Sequence, residues 1–311
     1  MMRLLDGWWM APLLFAAAAS DSEATRRLIH CIETQQRQCL TIELKTAATR
    51  TSAEYLSAAA EAYLILGRNR EAVSAIDAAV AQKPGDFDLL MQQGRTYQRC
   101  GNQVPAIQSF LLAAKAKQPS SEVFYNLGLS FFLLHEYERG GKHFDHAVKL
   151  DPKNGKSEFM LAVIDIMKES NESGAKVHLA RALELEPDNP HYLLHYGVLL
   201  VRANETVQAV DVLERAVKAD GANPLARFHL GRVRMLMNDL PGARKELEAA
   251  VRLRPQLARA HYQLASVYRS LGETEKAKAA IQQFLKFKDL DADTEVVDGP
   301  PAYAFRESAA K

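Results

Sequence analysis

Net charge is almost absent from this sequence: 39 Lys and Arg stand against 38 Asp and Glu in 311 residues. A chain so balanced has no overall field to draw it to nucleic acid or to an acidic membrane surface. Cysteine is nearly absent too. Three residues, none in C-x-x-C spacing, cannot build a disulfide framework. There is no apolar run of the ~20 residues that a bilayer-spanning helix needs. Catalytic signatures are also missing. Gly140-Gly141-Lys142 lacks the phosphate-loop spacing, and Gly128-Leu129-Ser130-Phe131 fails as a nucleophile elbow at its last position. His191 with His195, and His143 with His146, have the helical spacing of two metal ligands, but neither pair has a third ligand in sequence, and zinc wants three or four. Glu246 and Glu248 fall on different faces of one helix and read as solvated. The chain is therefore expected to be no enzyme, with no cofactor and no resident metal. With 48% hydrophobic and 25% charged residues, it has the composition of a folded globular protein.

The first nineteen residues stand apart. Arg3 supplies a positive start, residues 8–19 are uncharged and apolar, and Ala17-Ala18-Ala19 precedes Ser20. This layout resembles a cleavable secretory signal, with Asp6 as its one discordant residue, and predicts an exported protein, periplasmic or secreted. The competing reading, an amphipathic N-terminal helix, leaves the protein in the cytoplasm.

What is abundant is repetition. Ala60, Gly94, Gly128, Ala162, Gly197, Gly231 and Ala265 are separated by 34, 34, 34, 35, 34 and 34 residues. A second small residue recurs at Ala72, Ala106, Gly140, Ala175, Ala209, Ala243 and Ala277. Four positions on comes a bulky apolar residue: Ile76, Phe110, Phe144, Leu179, Leu213, Leu247 and Ile281. Three further on stand Ala79, Ala113, Ala147, Ala182, Ala216 and Ala250, with Phe284 breaking the series. Phe124, Leu127, Gly128 and Phe131 share one helical face. Gly67, Gly101, Asn204, Asn238 and Gly272 sit where a first helix must stop. Pro84, Pro119, Pro152, Pro187 and Pro255 close most units. Each unit thus predicts two helices.

With these landmarks in register, the unit resembles the tetratricopeptide repeat, a 34-residue helix-turn-helix. The resemblance implies an all-α, right-handed superhelical solenoid of about seven repeats over residues 53–288. Residues 20–52 then form an N-terminal helical cap, and residues 289–311 an acidic, proline-containing tail. The fourth repeat departs from the pattern at Asp165 and carries one extra residue, which puts its turn in doubt. Cys31 and Cys39 would lie ~12 Å apart along a continuous helix. They read as two semi-buried small residues unless the chain turns between them.

The resemblance also implies a concave face lined by the first helix of each repeat. At its fifth position stand Tyr125, Phe159, Leu194, Phe228 and Tyr262; at its ninth, Leu129, Val163, Val198 and Arg232; at its twelfth, Phe132 and Arg269. Arg259 is at the second position of the last repeat, and Asn126, His195 and His229 at the sixth, where they could bond a peptide backbone. The middle repeats thus present an apolar stripe, read either as a peptide groove or as side chains packed on one another. Ser57 and Glu61 do not match the two-carboxylate clamp of chaperone-binding relatives.

Charge is uneven towards the end. Residues 224–288 hold 13 Lys and Arg against 5 Asp and Glu, and residues 289–311 hold 2 against 6. The tail, with Tyr303 and Phe305, could fold back on the basic repeats. The expected function is a non-catalytic scaffold that holds a protein or peptide segment. The alternatives are a module recruiting a separate envelope enzyme and a holdase for apolar chains. No nucleic-acid partner is expected.

Overall fold

The computed structural model describes residues 10–45, 50–117, 120–168 and 171–291. Most of the expected tail, 292–311, and the first nine residues of the expected signal lie outside them. Among the described residues there are sixteen α-helices and no strand. The chain divides into two compact units at the Leu150–Asp151 junction.

The first unit begins with α1 (Met10–Glu33) and α2 (Arg37–Glu43). α1 runs unbroken through Ala19–Ser20, the junction at which signal cleavage is expected. The reading of Cys31 and Cys39 as unlinked is corrected. α1 stops at Glu33, Gln35 takes φ 51°, and the chain reverses into α2. That reversal brings the two Cα atoms to 5.6 Å, within disulfide range, and the sulfurs are bonded. Leu28, Leu40 and Leu44 pack into one core with Tyr55, Ala59 and Ala62 of the next helix, which seats the cap on the first repeat. Asp21 reinforces the joint. Its carboxylate accepts from Arg50 Nη1 at 3.0 Å and from the Ser52 amide at 3.1 Å.

Three helical hairpins complete this unit: α3 (Ala53–Leu66) with α4 (Asn69–Gln82), α5 (Phe87–Arg99) with α6 (Gln103–Ala116), and α7 (Ser121–Leu133) with α8 (Tyr137–Leu150). The second unit holds four: α9 (Gly155–Met167) with α10 (Glu172–Leu185), α11 (Pro190–Arg202) with α12 (Thr206–Ala219), α13 (Pro224–Leu236) with α14 (Leu240–Leu253), and α15 (Ala258–Ser270) with α16 (Thr274–Asp291).

Local chemistry starts and stops these helices. Ser52, Asp86, Asn154, Asn189 and Asn223 each accept a backbone N–H of the helix that follows, the part of an N-cap. Gly67, Gly101, Asn204, Asn238 and Gly272 all adopt left-handed φ, between 60° and 81°. His135 does the same in the third repeat at φ 61°, a stop that no glycine or asparagine announced. Asp165 turns out to belong to the fourth turn. It accepts Asn171 Nδ2 at 3.0 Å, while Asn171 Oδ1 caps α10 through the Gly174 amide. The small residues let paired helices touch. A Cβ on Gly128 would fall 2.7 Å from the Phe144 ring, and one on Gly197 2.6 Å from Leu213.

Candidate functional site

Most of the expected apolar stripe is core. Leu129, Phe132, Phe159, Val163, Leu194 and Phe228 are all buried, none more than 5% exposed. Phe132 lies 5.3 Å from Tyr137, and Phe159 stacks 4.9 Å from Tyr192 with His195 edge-on at the same distance. The surfaces expected to meet a ligand are taken up by the chain itself, because repeats packed this closely leave no room between fifth- and ninth-position side chains. Tyr125 and Val198 are half-buried.

The polar positions are likewise turned inward. Asn126 Nδ2 donates to Glu122 O at 2.9 Å within its own helix, and its backbone carbonyl accepts from the buried Gln98. His195 and His229 are buried. Desolvation, helped by the charge of His191, lowers the His195 pKa to about 4. Desolvation also lowers that of His229 to about 3, and Arg232 and Arg259 push it the same way. His143 and His146 stack against Phe124.

Two carboxylates also depart from the sequence reading, and a third joins them. Glu246 is not solvated: it is buried and takes Arg227 Nη1 at 2.8 Å. Its neighbour Glu248 binds Arg244 at 2.7 Å and the Tyr268 hydroxyl at 2.9 Å. Glu158 is buried against His178 Nδ1 at 2.6 Å. Glu246 and Glu158 each join the two helices of a hairpin, and Glu248 joins α14 to α15 of the next repeat, so these acids serve cohesion.

Where the stripe reaches the last two repeats it opens. A pocket of about 350 Å³ lies between α13, α15 and α16, lined by Phe228, Arg232, Arg259, Tyr262, Gln263 and Phe284. Phe228 offers its ring to both arginines: the guanidinium carbons of Arg232 and Arg259 stand 5.7 and 5.9 Å from its centroid. Tyr262, 53% exposed, packs its ring 5.3 Å from that of Phe284. Burial, with repulsion from Arg259, lowers the pKa of Arg232, and among the described residues no carboxylate counters that pull. In the same unit Arg227 pairs with Glu246, Arg234 with Glu214, and Arg244 with Glu248 and Glu273. The pocket thus gathers two cations beside exposed aromatic surface, which suits an anionic group carried on an apolar segment. Arg269 is exposed and is not part of the lining.

Of the residues expected in the groove, the pocket unites Phe228, Arg232, Arg259 and Tyr262. Phe284 was missed, although the sequence carried its signal: it stands where six other repeats have alanine. The ring packs against Tyr262 and forms a wall of the pocket.

Comparison with known proteins agrees with this architecture. The family model described as the cilia and flagella-associated protein 70 C-terminal domain matches residues 13–261, and a tetratricopeptide repeat model matches residues 258–289. Anaphase-promoting complex subunit 3 of Schizosaccharomyces pombe is 27% identical over 174 residues, covering 56% of this chain and 26% of that protein. The chain therefore spans about a quarter of that relative's length. Among solved structures, the Cut9–Hcn1 hetero-tetramer of the APC/C superposes with a TM-score of 0.61 at 16% identity, over 77% of this chain and 48% of that one. The Pseudomonas aeruginosa protein pilF gives a TM-score of 0.59 at 15% identity, over 68% and 99%. At these identities the structures speak for the fold alone.

Proposed function

This chain belongs to the tetratricopeptide repeat family, and from that premise we propose that it is an exported, non-catalytic scaffold that holds an acidic, partly apolar protein segment at the pocket of its last two repeats. The observation that carries the reading is the pairing of Arg232 and Arg259 over Phe228, with Tyr262 exposed beside them. The arginines supply steering and a charge-assisted contact, and the rings supply apolar area worth about 25 cal/mol per Å² buried. Relatives of this fold include subunits of multiprotein assemblies, in keeping with a binding role. Export is supported by the apolar start of the chain and by the Cys31–Cys39 disulfide, a bond that persists in oxidising compartments. Among the described residues no helix is long and apolar enough to cross a membrane.

Two measurements test this. Affinity purification from the source cells should recover one or two proteins at fixed stoichiometry, lost with Arg232→Gln and Tyr262→Ala. Retention of the partner by the pocket variants would move binding to another surface. Broad suppression of aggregation among unrelated clients would favour the holdase instead. For export, the mature chain should begin near Ser20 and carry no free thiol at Cys31 or Cys39; an intact Met1 in a reduced cytoplasmic protein would remove that part.

A further inference from the structure

The pocket of the last two repeats asks more of its ligand than charge and apolarity. Arg259 and Tyr262 stand three residues apart on α15, which makes them neighbours on one helix face, about 5–6 Å apart at Cβ. Arg232 joins the cationic end from α13, sharing the Phe228 ring with Arg259, and Phe284 joins the aromatic end from α16. Resting on the scaffold reading above, we propose that the pocket selects an extended peptide segment in which an acidic and an aromatic residue lie two positions apart, the carboxylate at Arg232 and the ring on the Tyr262–Phe284 face.

Each end of the pocket fits one half of that pair. Arg232 is half-buried and repelled by its neighbouring cation, and among the described residues no carboxylate relieves it. A carboxylate brought by a ligand does so, with a charge-assisted hydrogen bond. His229, the residue after Phe228, is buried with its pKa lowered to about 3 and adds no charge of its own near neutral pH. At the other end the rings of Tyr262 and Phe284 are tilted 55° to each other, and Tyr262 is exposed enough to receive a third ring. Aromatic contacts of this kind are worth more than the area they bury. Gln263 lines the same space with an amide that can both donate to and accept from an extended backbone, which favours a peptide over a lone aromatic acid.

Spacing follows from the alternation of side chains. In an extended peptide adjacent residues point to opposite faces, and residues two apart share a face at about 6.6–6.8 Å. That is the shortest same-face spacing and the nearest to the separation of Arg259 and Tyr262. Residues four apart, at about 13 Å, overshoot it. A pocket of about 350 Å³ is at the small end for a ligand site and suits one such pair.

The test uses the full chain and the peptide GSGESFGSG with 4-fluorophenylalanine as its aromatic residue, observed by fluorine NMR, which reads weak binding. The fluorine line is expected to broaden with the protein and to sharpen again with Arg232→Gln or Tyr262→Ala. Unlabelled GSGESFGSG should displace the probe. The isomer GSGEFSGSG and the amide GSGQSFGSG should each need about tenfold more, and GSGESLGSG about threefold more. The competitor series leaves the protein unaltered, so it stands even if the arginine variant does not fold. No broadening, broadening that both variants leave unchanged, or equal displacement by the isomer or the amide would overturn the proposal. Displacement by dodecanoate at lower concentration than by the peptide would also overturn it, giving the pocket to an anionic amphiphile. Equal displacement by the isomer leaves the scaffold reading standing, because that reading needs no spacing; partner retention by the pocket variants in affinity purification removes the reading itself.

Discussion

Gly128→Ala adds one methyl group at the point where α7 passes the ring of Phe144. The new Cβ would stand 2.7, 2.8 and 3.0 Å from Cε1, Cδ1 and Cζ of that ring. Phe144 is fully buried, so it cannot swing into solvent. The helices cannot part cheaply either, since even a Cβ on Gly140 of α8 would lie 3.0 Å from the Gly128 carbonyl oxygen. Overpacking of this kind costs about 1–3 kcal/mol. The better helix propensity of alanine returns about 1 kcal/mol. A clash with three atoms of a confined ring belongs at the upper end of the range, so the net loss is about 1–2 kcal/mol. The repeat register supplies the rescue: an alanine in the fourth repeat, Ala162, corresponds to Leu179 rather than to a ring. Phe144→Leu alone should cost about 1–2 kcal/mol in lost packing. The double variant should be more stable than the sum of the single losses by at least about 1 kcal/mol. Urea unfolding followed by far-UV circular dichroism reads all four corners of the cycle. Additive losses, or a Gly128→Ala variant as stable as the parent, would refute the close-approach account.

Three further outcomes are expected. His195 and His229 titrate near 6.5 when unfolded but at about 4 and about 3 when folded, so over that interval the unfolded chain holds protons that the folded chain does not; stability should be flat above pH 6.5, fall as pH drops from 6.5 towards 4, and fall less in a His195→Gln, His229→Gln variant. Reducing the Cys31–Cys39 bond, or replacing both residues by serine, should cost about 2–3 kcal/mol by the loop-entropy relation, seen as a lower thermal midpoint and as faster hydrogen exchange in α1 and α2 than in α5 and α6. Asn189→Ala removes the acceptor of the His191 and Tyr192 amides, at 3.0 and 3.3 Å, and should cost about 1 kcal/mol in a urea titration, whereas Asn189→Asp should cost less than half of that.

Much of the fold was legible because a repeat writes the same local instructions many times. Small residues at fixed offsets and left-handed stops at Gly67, Asn204 and Gly272 act within a few residues, so they can be read in one dimension. His135 shows the limit of that reading: histidine enters the left-handed region more readily than most residues, but it does not announce a stop as glycine or asparagine does. The Cys31–Cys39 bond was out of reach for a similar reason, since it depends on a chain reversal at Gln35 that no glycine or proline marks.

The site was legible only in part. The sequence by itself determined the hairpins, their number and the side chains at each repeat position, because these follow from backbone preference and from the period of apolar residues. Which of those side chains stay available was decided by tertiary packing. Phe132, Phe159, Leu194 and Phe228 share one pattern with Tyr262, yet the first four are buried and Tyr262 is half exposed. Periodicity tells which face of a helix a residue occupies, but not how close the next helix comes. That distance is set by volumes meeting across the contact, such as the Phe144 ring against Gly128. Only when those volumes are assembled do Arg232 and Arg259 come to stand side by side over one ring.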